Sequence, residues 1–230
     1  MAQKVIIALP VLALAILIYI LNRPVRFNSN DVPGFSPIKN DELARKFSPL
    51  LIPKNEYGLP KALYYRASKD DSDNIHLTYH FVWDNEENTG SGLKPFLSRW
   101  IYTGGLSIQK IMYGKKDLEI VAFTLNPNEE IIKVVYETAE NYNDGDFSVK
   151  HKTIVLEGKF EPRLVFEVIS WNHLFNKIDK SENELDGQVM LLNPEYFSEE
   201  LWKEYEIVKE EETILKKNRA HQIYEREYVK

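Results

Sequence analysis

The stretch NIHLTYHFVWD, residues 74–84, decides the fold class. Ile75, Leu77, Tyr79, Phe81 and Trp83 alternate with His76, Thr78, His80, Val82 and Asp84. Successive side chains of a strand point to opposite faces, so a period of two puts five large apolar groups on one side and a mostly polar set on the other. The pattern predicts a half-buried antiparallel strand. Glu119–Leu125 and Glu130–Thr138 are also β-rich, and Asn126-Pro127-Asn128-Glu129 between them has turn composition, which predicts a hairpin. Further strands are expected at Lys61–Tyr65, Lys152–Leu156 and Arg163–Ser170. Strands gathered in the middle of the chain with helices toward its ends predict a mainly β (α+β) protein. The expected architecture is an antiparallel β-sandwich forming one soluble domain over residues 41–230.

The flanking helices follow from a period of 3.6. Asp41–Phe47 reads as a short helix capped by Asn40. Leu93, Phe96, Leu97, Trp100 and Ile101 recur at helical spacing, with Pro95 near the start and Gly104-Gly105 as a stop, which predicts a short amphipathic helix. From Ser198 onward, Leu201, Tyr205, Val208 and Leu215 form an apolar stripe, and Glu199–Lys203 and Glu212–Lys216 are i, i+4 pairs. A long C-terminal helix over 198–228 is the expectation, available to dock a protein partner.

At the other end, VIIALPVLALAILIYIL (Val5–Leu21) carries no charge, with Lys4 before it and Arg23 after. As a helix it would span roughly 26 Å at about 1.5 Å per residue, close to the hydrocarbon thickness of a bilayer once flanking side chains reach outward. The Ala13–Ala15 pair falls inside the apolar run, and the run ends in Tyr19-Ile20-Leu21-Asn22-Arg23 without a small-residue cleavage site. Residues 1–26 therefore read as a retained membrane anchor rather than a removed signal. Pro10 is expected to bend it. The short tail ahead of the span favours placing the soluble domain outside the cytoplasm, periplasmic or extracellular. Residues 27–40, rich in Asn, Pro, Ser and Gly, read as a linker.

Charge and composition exclude several functions. The chain holds 29 Lys+Arg and 35 Asp+Glu, for a net charge of −6. Lys4, Arg23 and Arg26 are the charges of the first 26 residues, so the remainder carries 26 − 35 = −9. Such a surface repels phosphate backbones and disfavours nucleic acid as a partner. With no cysteine there are no disulfides, thiolate metal sites or cysteine nucleophiles. Ser91 in Gly90-Ser91-Gly92 lacks the strand-to-helix context of a nucleophile elbow, and no phosphate-binding glycine loop occurs.

The histidines are the natural candidates for chemistry. His76 and His80 share the polar face of one strand but stand about 13 Å apart, too far to hold one metal, and are expected at the sheet surface. His151 and His221 are expected to be solvated. His173, in VISWNHLF, reads as a hydrogen-bonded core residue. Asp117-Leu118-Glu119 opens a strand, so its two carboxylates face the same way about 7 Å apart. They either hold a hard cation jointly with oxygens from elsewhere or keep a solvated strand edge charged. The tryptophans read as core.

The order of these pieces from Ala62 to Phe175 resembles the necrosis- and ethylene-inducing peptide-like superfamily of β-sandwich proteins. In that family an aromatic strand ending in Asp is followed by a helix and a strand opening Gly-His-Arg-His-Asp-Trp-Glu. A hairpin and a later Ser/His segment come next. Here the matching pieces are YHFVWD ending at Asp84, the Leu93–Tyr102 helix, YGKKDLEIVAF at 113–123 and EVISWNHLF at 167–175. The resemblance implies a β-sandwich with Asp117 and Glu119 as cation ligands, Asp84 as a third and His173 near the site. Gly114 and Lys116 stand where the family's motif has histidines. The family's toxins are secreted freely, so the fold is carried over and the membrane-damaging activity is not.

Three functions remain in view. The leading expectation is a single-pass, membrane-anchored envelope domain that binds a partner or ligand without catalysis and needs no cofactor. The second is a cation-dependent enzyme or binder using Asp84, Asp117, Glu119 and His173 with Ca2+ or Mg2+. The third is a structural subunit of a membrane complex.

Overall fold

The computed structural model describes residues 15–21, 26–27, 34–102, 116–180, 184–185, 189–205 and 211–212. Residues 15–21 are helical (α1). The strands in chain order begin with β1 (Arg26–Phe27), β2 (Phe35–Ile38), β3 (Leu50–Ile52), β4 (Ala62–Asp70), β5 (Ile75–Trp83) and β6 (Asp117–Leu125). They continue with β7 (Ile131–Ala139), β8 (His151–Phe160), β9 (Val165–Val168), β10 (Phe175–Ile178), β11 (Glu195–Tyr196) and β12 (Glu211–Glu212). Three more helices are α2 (Asp41–Lys46), α3 (Leu93–Tyr102) and α4 (Glu199–Glu204).

β5 lies at the heart of a large sheet, antiparallel to β4 on one side and β6 on the other, with Tyr79 opposite Tyr65 and Val121. β7 and β8 extend the sheet beyond β6. The turn from β6 to β7 is held by Asn126, whose Oδ1 accepts from the backbone N–H groups of Asn128 and Glu130, both at 3.0 Å. Beyond β4, the antiparallel β2 and the parallel β11 share its outer edge. Phe35–Ile38, in the stretch that reads as linker, is thus a strand of this sheet. A smaller sheet, ordered β10-β9-β3, faces the large one.

The main core fills the space between the two sheets. Phe175 meets Phe81 at 5.4 Å, and Phe166 meets Tyr136 at 5.4 Å and Phe123 at 6.5 Å. Fully burying one such side chain stabilises the fold by roughly 1.5–3 kcal/mol, so these rings supply much of the force that joins the sheets. α2 adds Leu43, Ala44 and Phe47 to the same core. Asn40 caps it by accepting from the Leu43 N–H at 3.0 Å, and the Tyr79 hydroxyl donates to the Ala44 carbonyl at 2.6 Å.

Two expectations need correction. β5 is buried on both faces rather than half-buried: a second cluster of Tyr64, Val82, Leu118 and Phe197 covers its other side. His76 and His80, expected at the surface, are 5% and 1% exposed. Phe35 meets the His76 ring at 5.0 Å and Phe197 meets the His80 ring at 5.1 Å, so segments remote in sequence close the polar face. Asp70 Oδ2 accepts a hydrogen bond from His76 Nε2 at 2.9 Å, which makes burial of that ring tolerable.

The continuous helix over 198–228 is the second correction. α4 spans only Glu199–Glu204, and Glu211–Glu212 are extended, paired antiparallel with Arg26–Phe27. Surface i, i+4 ion pairs contribute only about 0.2–0.5 kcal/mol each, and tertiary pairing overrides them. Residues 213–228 lie outside the described residues.

α3 has the predicted bounds, and its apolar stripe is turned outward. Pro95 and Ser98 are buried, whereas Leu93, Phe96, Leu97 and Trp100 are exposed. The Arg99 guanidinium secures the helix by donating to the carbonyls of Asn88 at 2.6 Å and Gly90 at 2.8 Å. Its expected stop, Gly104-Gly105, lies outside the described residues, as do His221 and residues 5–14 of the apolar N-terminal run. Among the described residues no helix is long and apolar enough to cross a membrane.

Candidate carboxylate site

The pairing of β5 with β6 builds the site. Asp117 sits opposite Trp83, and Glu119 opposite Phe81. Directly opposed residues of antiparallel strands share a face, so both carboxylates point to the side that carries the aromatic core. Asp117 is 2% exposed and Glu119 is 6%. They are not a solvated strand edge. Glu86, half-buried just past the end of β5, brings in a third carboxylate. One oxygen from each of Glu86, Asp117 and Glu119 lies within 4.8 Å of the other two.

His173 fastens Asp117 in place. Its Nδ1 is 2.6 Å from Asp117 Oδ2, and its Nε2 donates to the Tyr57 carbonyl at 2.7 Å. The ring is fully buried and stacks on Trp83 at 4.3 Å with the planes 8° apart. Both nitrogens are therefore occupied, and His173 orients a carboxylate instead of ligating an ion. The backbone makes this reach possible. Residues 170–173 form a turn in which the His173 N–H donates to the Ser170 carbonyl at 2.9 Å. His173 adopts the left-handed region, φ 61°. Non-glycine residues seldom do so, and the contacts of its ring compensate the cost.

Next to this pair lies a phenol network. The Tyr142 hydroxyl donates to Asp144, contacts the Tyr57 hydroxyl at 3.3 Å and accepts from the Trp171 N–H at 3.3 Å. Burial, with the Asp144 carboxylate beside it, pushes the Tyr142 phenol well above its ordinary range. Burial likewise raises Tyr57. Both therefore stay protonated donors at neutral pH, and they hold the turn that delivers the Tyr57 carbonyl to His173.

Asp84 is placed apart from the cluster. Alternation along the chain turns it away from the Trp83 face. It pairs with Lys116 at 2.6 Å and Lys61 at 3.7 Å, with its side chain half exposed. The hydrogen bond from the Lys116 ammonium holds its carboxyl below the usual carboxylate range. Of the four residues singled out from sequence, the fold thus gathers Asp117, Glu119 and His173 and leaves Asp84 outside. Glu86 was missed. Its signal was the run Asp84-Asn85-Glu86-Glu87 just past the strand, where alternation no longer says which acid faces the core.

Chemically, three carboxylates and no thiol or free imidazole make an oxygen-only donor set. Hard divalent cations take such ligands. Oxygens within 4.8 Å of one another are no farther apart than about two Ca–O bonds of roughly 2.4 Å, so one ion can touch all three groups with little movement. The remaining His151, expected to be solvated, is 43% exposed at its side chain, with Nδ1 2.6 Å from Glu137 and Nε2 2.8 Å from Asn172.

The fold and site define a mainly antiparallel β protein with sandwich-like sheets and a carboxylate cluster at the β5–β6 end of its core. No family model, curated protein or solved structure matches the chain.

Proposed function

We propose that this protein is a membrane-tethered β-sandwich domain that binds a divalent cation, Ca2+ or Mg2+, through Glu86, Asp117 and Glu119. The observation that carries the reading is the clustering of three carboxylates, two of them buried. Burial and like charge both disfavour ionised carboxylates. A bound cation removes both penalties at once. Asp117 and Glu119 are also the ligand pair that the superfamily resemblance implies, with Glu86 taking the third place in this chain. The reading is one of ligand binding, without a catalytic step.

The tether is supported by the apolar run Val5–Leu21 and by the exposure of Ile16, Leu17, Ile18, Tyr19 and Ile20, each between 48% and 71%, on the helical part of that run. Five consecutive apolar side chains left in water would be costly, and lipid removes the cost. Retention of the full chain in the membrane pellet after a high-salt wash is the expected result, and release into the supernatant would refute the tether.

The cation site is tested by thermal unfolding of the full chain in detergent as Ca2+ or Mg2+ is titrated. An ion that binds the native state raises the midpoint by mass action, worth about 2.7 kcal/mol at a hundredfold excess over its dissociation constant. Glu86→Gln, at the half-buried member of the cluster, is expected to shift the titration to higher ion concentration without unfolding the domain. A midpoint unmoved by millimolar concentrations of either ion would overturn the reading.

A further inference from the structure

We infer that His151 is a proton-operated latch on the turn 170–173, which carries His173 to Asp117. The latch is a line of hydrogen bonds running from the surface into the core. Ser170 Oγ donates to Asn172 Oδ1 at 2.6 Å, Asn172 Nδ2 donates to His151 Nε2 at 2.8 Å, and His151 Nδ1 donates to Glu137 Oε2 at 2.6 Å. The inner end is dry, with Ser170 0% and Asn172 3% exposed, whereas the His151 side chain on β8 is 43% exposed. A proton can therefore reach the ring directly from water, and its arrival acts on two buried side chains.

Chemistry fixes the direction of the line. An amide NH2 has no lone pair to offer, so the ring nitrogen facing it must accept, and the proton of the neutral ring sits on Nδ1 against the carboxylate. Glu137 accepts from Nδ1 in both states of the ring, which confines the change to Nε2. Protonation puts an N–H there, aimed at the Asn172 NH2. Two donors then oppose each other. The amide has to turn over to present Oδ1, and its Nδ2 then faces Ser170 Oγ, which already accepts from the Leu174 N–H at 3.2 Å. The Ser170 hydroxyl proton loses its acceptor at a fully buried position. The turn is thus locked on the neutral ring and unlocked on the cation, one residue from the ring that holds Asp117. Imidazole is the side chain that ordinarily makes this change between about pH 5 and 8. The other charged groups around this end of β7 and β8 are engaged elsewhere: Lys150 with Glu140, and Lys177, on the β10 strand that packs against β7, with Asp179. Lys152 follows His151 on the opposite face of β8, and its charge acts on Glu140. From the turn itself the only titratable side chain is His173, held by Asp117 and the Tyr57 carbonyl.

The consequence for the ion rests on the cation-binding reading: affinity of the Glu86–Asp117–Glu119 cluster for Ca2+ should fall as His151 takes up a proton. The test uses the full chain in detergent with 15N-labelled histidine, beside His151→Gln, which offers Asn172 a neutral acceptor and cannot titrate. Comparison of the two assigns the His151 signals. In chelator at about pH 7.5 the ring should carry its proton on Nδ1, the reverse of the tautomer that prevails for histidine in water. As pH is lowered, the His173 signals should follow the His151 titration in the unmodified chain and not in His151→Gln. A ring protonated on Nε2 at neutral pH, or His173 signals that move alike in both proteins, would overturn the latch. Ca2+ titration of the thermal midpoint is then compared at about pH 7.5 and 5.5. The half-saturating concentration should rise several-fold more in the unmodified chain than in His151→Gln, a difference that removes whatever the carboxylates contribute by their own titration. An equal rise would refute the link to the ion. Should no ion stabilise the chain at either pH, the cation reading fails, while the signals recorded in chelator still decide the latch.

Discussion

His173→Asn tests the geometry that holds Asp117. Asn tolerates the left-handed backbone at this position, so the substitution removes the imidazole rather than straining the chain. Three contacts go with the ring: Asp117 at 2.6 Å, the Tyr57 carbonyl at 2.7 Å and the face of Trp83 at 4.3 Å. A hydrogen bond to a charged group contributes about 1.5–3 kcal/mol, and a buried carbonyl left unpaired costs about 1–3 kcal/mol. Breaking a buried pair from one side costs about 3–5 kcal/mol in all, because the partner charge stays behind in a dry site. For a domain stable by about 5–15 kcal/mol that is a large share. The assay is urea unfolding of the full chain in detergent, followed by tryptophan fluorescence, with chelator and again with millimolar Ca2+. The expected loss is about 3–5 kcal/mol in chelator and less with Ca2+, since the ion supplies the counter-charge that the imidazole no longer shares. Asp117→Asn completes a double-mutant cycle, and the pair should cost less than the sum of the singles by about 1–3 kcal/mol. A loss below about 1 kcal/mol, or additive singles, would refute the account of His173 as the residue that secures a buried Asp117.

Three further outcomes follow from packing and charge. Burial opposes ionisation of Asp70, but hydrogen bonds from His76, Asn74 and Ser72 outweigh it and hold the carboxyl below its ordinary value of 3.8. Its contribution to stability is therefore complete above about pH 4 and is lost as pH falls through the lowered folded value, so Asp70→Asn should flatten the acid limb of a stability–pH curve. Phe175→Ala should cost about 3–5 kcal/mol in urea unfolding, since this fully buried ring joins Phe81 and Trp83 of one sheet to Phe166 of the other. At Gly90, an added Cβ would lie 1.8 Å from the Asp144 carbonyl oxygen, a backbone atom that cannot swing aside. Gly90→Ala should lower stability by about 1–3 kcal/mol and loosen the base of α3, read as a lower thermal midpoint.

The elements legible in the sequence are those whose cause is local. The alternation from Ile75 to Trp83 gave β5, the Asn126–Glu129 turn gave the β6–β7 hairpin, and Asn40 marked the start of α2. The bounds of α3 were equally readable, but which of its faces meets water was not: periodicity reports an apolar stripe without saying what lies against it. For the same reason the His76/His80 face of β5 read as surface. It is closed by Phe35 and Phe197, and Arg66 of β4 donates to the Phe197 carbonyl across 131 positions of sequence. The C-terminal stretch shows the converse error, where helical spacing was present and pairing with Arg26–Phe27 prevailed.

For the site, sequence alone could place Asp117 and Glu119 on one face of a strand, because the pleat enforces it. Whether that face was wet or dry, and which further acid joined them, depended on the tertiary structure. His173 reaches Asp117 across 56 positions and Tyr57 across 116, separations over which no short-range pattern operates. Asp84 and Glu86 are near neighbours in sequence with opposite fates, one paired with lysines at the surface and the other turned into the cluster. The chain's periodicities determined its strands and the common face of two carboxylates; the packing of distant segments decided their burial, their partners and the exposure of α3. Local steric preferences act through adjacent residues, whereas desolvation is set by whatever comes to rest on top.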